Sequence, residues 1–167
     1  MATQITAPKQ KITPFLWFSD NAEEAVNFYT SVFKNSQIGT ISRYDEASAK
    51  ASGRPAGSVM TVTFQLDGLD FMALNGGPEF KFTPAISLVV NCETQQEVDY
   101  FWEKLSEGGK EIECGWLEDK YGVSWQVVPV VLGEIMKSGD SSKTGRVMEA
   151  LLKMKKLDVE TLQQAAK

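Results

Sequence analysis

The chain has 167 residues, of which 43% are hydrophobic and 23% charged, a composition that folds into a globular core and excludes long intrinsic disorder. A formal net charge of -5 excludes nucleic acid as a partner, because phosphate binding needs a basic surface that releases counterions. There is no histidine, so the commonest metal ligand and the commonest general base are both missing.

Residues 1–10 are polar, with no apolar stretch for a signal or membrane helix and no cleavage pattern, which predicts a cytoplasmic protein without a membrane partner. The apolar run 12–18, with Pro14 near its start, reads as a first strand. Asp20 then supplies an N-cap with Glu23 three residues on, and Ala22, Ala25, Val26, Tyr29, Val32 and Phe33 recur at helical spacing. Residues 36–44 read as a second strand, and 45–57, rich in Ala, Ser and Gly, as a long loop. Strand-like runs at 59–66 and 69–74 flank Asp67-Gly68, a strong hairpin signal. The turn-rich stretch from Asn75 to Pro84 reads as a linker.

The pattern then repeats. Ala22-Glu-Glu-Ala-Val-Asn-Phe-Tyr29 returns, degenerate, as Gln95-Gln-Glu-Val-Asp-Tyr-Phe-Trp102. A strand over 85–90 precedes it, Thr94 and Glu97 form a capping box, and Gly108-Gly109 stops the helix. Strands follow at 110–116 and 123–128 around a turn at 119–122. Helices near 131–136, 144–155 and 159–166 have no counterpart in the first half, and Lys-Met-Lys-Lys at 153–156 reads as the solvated face of one of them. The fold class is therefore α+β, with a βαβββ unit over 11–75, a linker over 76–84, a second βαβββ unit over 85–137 and a helical extension over 138–167. Cys92 and Cys114 are too few for a disulfide scaffold and lie in no metal-ligand spacing, so both read as free thiols.

The tandem units, the helix pattern at 22–29 and Asp119-Lys-Tyr-Gly-Val-Ser-Trp-Gln126 together resemble the vicinal-oxygen-chelate, or glyoxalase-like, superfamily. Ile12-Thr-Pro-Phe-Leu-Trp-Phe18, Leu74-Asn-Gly-Gly-Pro78 and Cys114-Gly-Trp116 are similar to segments of its PhnB-like branch, so the resemblance covers roughly residues 11–166. It implies curved mixed or antiparallel sheets and a homodimer in which units exchange between chains. Members of this branch often carry the label 3-demethylubiquinone-9 3-methyltransferase. A Rossmann-type methyltransferase needs a glycine-rich turn between a strand and a helix, whereas Gly76-Gly77 runs into Pro78 and a loop.

The resemblance also implies metal-ligand positions on the first and last strands of each unit. They fall near Thr13 or Pro14, at Met72, near Ser87 and at Gln126, the last-strand positions lying four residues after Gly68 and Gly122. One neutral amide and a thioether cannot hold a divalent ion, so no metal and no cofactor is expected. Strand parity places Asp70, Leu74, Val89, Asn91, Ser124 and Val128 on the same faces, a lining that suits an uncharged or weakly polar organic ligand. Trp116 is a further candidate contact, as are Arg43 and Tyr44 at a strand end, where a guanidinium meets a ligand carboxylate or phosphate or else pairs with Asp45 or Glu46. Cys114 lacks an activating histidine, and Glu79 is a candidate general base on a loop. The expectation is a homodimer that binds a small organic molecule, with catalysis left open. The alternatives are a metal-dependent superfamily enzyme using Asp70, Glu79 and Glu118, the methyltransferase of the family label, and an interaction module built on the C-terminal helices.

Overall fold

The computed structural model describes residues 10–167, so most of the polar N-terminal stretch lies outside the described residues. The chain divides between Lys81 and Phe82 into two units. In the first, β1 (Phe15–Phe18), α1 (Ala22–Val32), β2 (Gln37–Arg43), α2 (Glu46–Ser52), β3 (Val59–Leu66) and β4 (Leu69–Asn75) follow in order. The strands form a four-stranded sheet of order β1-β4-β3-β2, in which only β1 and β4 run parallel. The second unit repeats this with β5 (Leu88–Cys92), α3 (Gln95–Ser106), β6 (Lys110–Glu111), β7 (Trp116–Glu118) and β8 (Ser124–Pro129) in the order β5-β8-β7-β6, again with one parallel pair, β5 and β8. Two mixed sheets of identical connectivity are what the internal repeat predicts.

Each helix covers one face of its own sheet. Ala22, Ala25, Val26, Tyr29 and Val32 of α1 are buried with Val62, Phe64, Phe71 and Ala73, while Val98, Trp102 and Leu105 of α3 are buried with Leu117, Trp125 and Val127. Burial of this apolar area, at about 25 cal/mol per Å², is the main force on both units.

Several local readings change. The first strand begins at Phe15 rather than at 12, although the Pro14 carbonyl already accepts from Met72 N at 3.0 Å. The Asp20–Glu23 capping box does not form. The N-cap is Asn21, with no side-chain cap bond, and the Ala22 amide instead donates to Asn75 Oδ1 at 2.8 Å. Asn75 therefore belongs to β4 rather than to a linker. It is buried, donates from Nδ2 to the Val59 carbonyl at 3.1 Å, and accepts the Tyr44 hydroxyl on its carbonyl at 2.7 Å. A tertiary acceptor thus outcompetes the local cap. The loop read over 45–57 contains α2, nucleated by a capping box in which Asp45 accepts from Ser48 N and Ser48 Oγ accepts from Asp45 N.

In the second unit, the strand read over 85–90 shifts to β5, and the run at 110–116 breaks into β6 and β7. Cys114 (φ 61°) and Gly115 (φ 82°) turn the chain between them, and their amides donate to the Met154 and Lys155 carbonyls. The extension, α4 (Val130–Met136), α5 (Ser141–Leu151) and α6 (Val159–Ala165), is thereby tied into the second unit, and Ile135, Val147, Leu157 and Leu162 form its own small core. No helix of the described residues is long and apolar enough to cross a membrane.

Asn75→Ala removes the α1 cap and strands the Val59 carbonyl in a buried position, a loss of about 3 kcal/mol. Asp20→Ala changes stability by less than about 0.5 kcal/mol. Urea unfolding of the two variants beside the parent chain checks both values.

Candidate functional site

With one face of each sheet sealed by its helix, the alternate residues of each strand are held on the opposite, open face. In the first unit the register places Phe15 opposite Met72 and Met72 opposite Thr63, with Trp17, Leu74 and Thr61 one row further along. A concavity of about 270 Å³ opens on this face, lined by Thr13, Gln37, Gly39, Thr63, Gln65, Asp70 and Met72, with Phe64 and Phe71 beneath. Gly39 makes room for it: a Cβ there would lie 2.5 Å from Thr63 Oγ1. Thr63 Oγ1 accepts from Thr40 N at 2.7 Å, and Ser42 and Thr61 share a hydroxyl hydrogen bond of 2.6 Å.

The second unit presents a smaller constellation. Trp116 lies opposite Gln126 on β7 and β8, and Gln126 lies opposite Val89 on β5. Gln126 Nε2 donates to Ser87 Oγ at 2.9 Å. Delivery of Gln126 to the open face depends on Asp119, which is buried. Its Oδ1 accepts from Tyr121 N at 2.9 Å and Val123 N at 3.0 Å, and its Oδ2 accepts from Trp125 Nε1 at 2.8 Å. One carboxylate thus shapes the turn, fixes Trp125 toward the core and leaves the next residue, Gln126, facing outward.

The structure brings Ser87, Trp116 and Gln126 together on one face and places Met72 in the concavity of the other unit. Arg43 and Tyr44 lie elsewhere. Arg43 Nη1 donates to the Gly57 carbonyl at 3.1 Å and pairs with neither Asp45 nor Glu46, while the Tyr44 hydroxyl is spent on Asn75 in the buried layer. Cys114 occupies a left-handed turn rather than a strand. Glu118 pairs with Lys110 at 3.1 Å, and Glu79 folds back over Gly77. Among the described residues no group of three or more His, Cys, Asp or Glu is placed to hold a metal ion. The donor set at the superfamily positions, hydroxyl, thioether and an amide already committed to Ser87, does not fit a divalent cation.

Residue types alone did not single out Gln37, Gly39, Thr63 and Gln65, because nothing in an isolated glutamine or threonine announces a pocket; the alternation of β3 is the one available signal. Arg54 was likewise missed. Its Nε is the buried side-chain polar atom among the described residues without a hydrogen-bond partner.

Tandem βαβββ units of this connectivity define the glyoxalase-like class of proteins. The chain belongs to the family described as 3-demethylubiquinone-9 3-methyltransferase, whose sequence model matches residues 10–128 and ends before α4. It is similar to a putative 3-demethylubiquinone-9 3-methyltransferase, PhnB protein, from Bacillus cereus, with 45% identity over 72% of this chain and 99% of that one and a TM-score of 0.64. The protein PA1353 from Pseudomonas aeruginosa shares the fold at 20% identity, with coverage of 72% and 98% and a TM-score of 0.58. So does the fosfomycin resistance protein FosX from Listeria monocytogenes, at 17% identity, coverage of 75% and 95% and a TM-score of 0.51. No curated protein matches the chain.

The two thiols differ in environment. Cys92 is fully buried, and desolvation, then the Glu97 carboxylate, push its thiol up from 9.0 to about 12, whereas Cys114 is partly exposed. Ellman's reagent at pH 8 therefore titrates one thiol per native chain, at Cys114, and both after unfolding. Because the folded-state value of Cys92 lies above its unfolded value, its contribution to stability is complete below pH 9 and is lost as the pH rises toward about 12.

Proposed function

We propose that this protein binds a small organic molecule on the open sheet faces, without a metal. The observation that carries this reading is the Ser87–Gln126 hydrogen bond of 2.9 Å, flanked by Trp116, at the positions where the superfamily resemblance expects metal ligands. A serine hydroxyl and a glutamine amide there offer donors and acceptors to a carbonyl or hydroxyl, and the indole and Val89 offer apolar cover. Met72 and the concavity around it supply a comparable mixed lining in the first unit.

The activity in the family description does not follow from this chain's residues. Gly76 packs against the Trp17 indole, where a Cβ would come within 2.2 Å of the ring, and Trp17 Nε1 donates to the Gly77 carbonyl at 2.9 Å. These glycines accommodate an aromatic ring rather than open a helix toward a nucleotide.

A homodimer is part of the proposal. Phe15 and Val89 are 52% and 50% exposed on the sheet faces, and β1, β2, β5 and β6 are sheet edges, features that a second copy of the chain would cover.

Saturation-transfer NMR with a library of neutral, partly apolar compounds tests the binding. Wild-type chain retains members of the library, and the Ser87→Ala, Gln126→Ala double variant weakens those bound at the second unit about tenfold. A library with no retained member contradicts the proposal. A chelator is expected to leave the melting temperature unchanged, and sedimentation equilibrium to return the mass of two chains; a chelator-induced drop or a monomer mass would contradict the corresponding part.

A further inference from the structure

The concavity of the first unit carries a more specific chemistry than its neutral neighbours suggest. Gln37, Gln65 and Asp70 form one cross-strand row over β2, β3 and β4, Gln37 opposite Gln65 and Gln65 opposite Asp70. A carboxylate only accepts, so it orients both amides. Gln65 donates from Nε2 to Asp70 Oδ1 at 2.7 Å, which turns Gln65 Oε1 toward Gln37, and Gln37 donates to it from Nε2 at 3.0 Å. The chain of donors therefore runs toward Asp70 and ends with two acceptors, Asp70 Oδ2 and Gln37 Oε1, that receive no hydrogen bond among the described residues. The Asp70 backbone is itself clamped: its amide donates to Gln10 Oε1 at 3.2 Å and its carbonyl accepts from Gln10 Nε2 at 3.1 Å.

Among the described residues no Lys or Arg lines the concavity and Asp70 has no ion pair. The volume of about 270 Å³ lies just below the ~300–1,000 Å³ range of ligand pockets, which limits the occupant to a small molecule. The geometry points to a binding site for a small organic cation, a primary or secondary ammonium on an apolar body, with its N–H groups donating to Asp70 Oδ2 and Gln37 Oε1 and its apolar part on Met72 and Phe15. Anions are disfavoured by the uncompensated carboxylate. A neutral hydroxyl would satisfy one acceptor but leave the charge unpaired, and charge-assisted hydrogen bonds are about twice as strong as neutral ones. A metal ion finds only one anionic ligand here. The inference rests on the reading of the sheet face as a binding surface and replaces an uncharged ligand with a cationic one in this unit.

Titration of the full chain, labelled at its methionine methyls, tests it with three probes of one shape: phenethylammonium, 2-phenylethanol and 3-phenylpropanoate. Phenethylammonium is expected to shift the Met72 methyl and to bind about tenfold more tightly than the alcohol, with the carboxylate leaving the signal in place. Asp70→Asn removes the preference and leaves the alcohol unaffected. Asp67→Asn removes the same charge from the neighbouring turn, at a φ of 46° that asparagine tolerates, and keeps the preference. An alcohol that binds as tightly as the ammonium, or a preference that survives Asp70→Asn, overturns the cation site while leaving the sheet face as a binding surface. A Met72 signal that no probe moves overturns the cation site and the use of this face together.

Discussion

The candidate site depends on one geometric constraint. A strand repeats every two residues, so once α1 and α3 have sealed one face of each sheet with Tyr29, Val26, Trp102 and Leu105, the alternate side chains have nowhere to go but the other face. Met72 stands out because Phe71 and Ala73 are buried, and Gln126 because Trp125 and Val127 are. Buried polar groups hold this register in place. Asn75 joins β4 to α1, β3 and Tyr44, and Asp119 gathers two backbone amides and the Trp125 indole. A slip of one residue in either sheet would leave those groups unsatisfied and invert the chemistry of the face.

In the proposed reading, the same architecture carries recognition by neutral side chains. Gln126 donates to Ser87, the residue just before β5, and this single bond leaves the Gln126 side-chain carbonyl and the Ser87 hydroxyl proton for a further partner. Asp70 is the exception on the first unit's face. It is a single carboxylate whose side-chain hydrogen-bond partner is an amide, Gln65. The helical extension beyond residue 128 lies outside the family match, yet its bonds from Met154 and Lys155 to the turn before Trp116 brace the strand that carries the indole.

Much of this was legible in the chain itself. The internal repeat and the Asp67-Gly68 hairpin follow from periodicity and turn chemistry, and the structure returns both sheets with the same connectivity. The superfamily resemblance, counted from Gly68 and Gly122, pointed to Met72 and Gln126, and both alternate with buried neighbours on their strands. What escaped were features decided at a distance. Asp20 and Glu23 have the spacing of a capping box, but the amide they would cap is taken by Asn75 from another strand. The Ala-rich stretch after Tyr44 lacks an apolar stripe and folds as α2 through Asp45 and Ser48. Arg43 and Tyr44 looked available because their partners, Gly57 and Asn75, are remote in sequence. The polar row through Gln37, Gln65 and Asp70 emerges only when three strands come into register.

The central claim is that recognition on these faces proceeds through side chains without a metal. Native mass spectrometry of the purified chain, under conditions that keep assemblies and adducts intact, addresses it most directly. The account predicts the mass of two chains carrying an organic adduct and no metal. A stoichiometric metal adduct would contradict it and would require ligands other than Met72, Ser87 and Gln126.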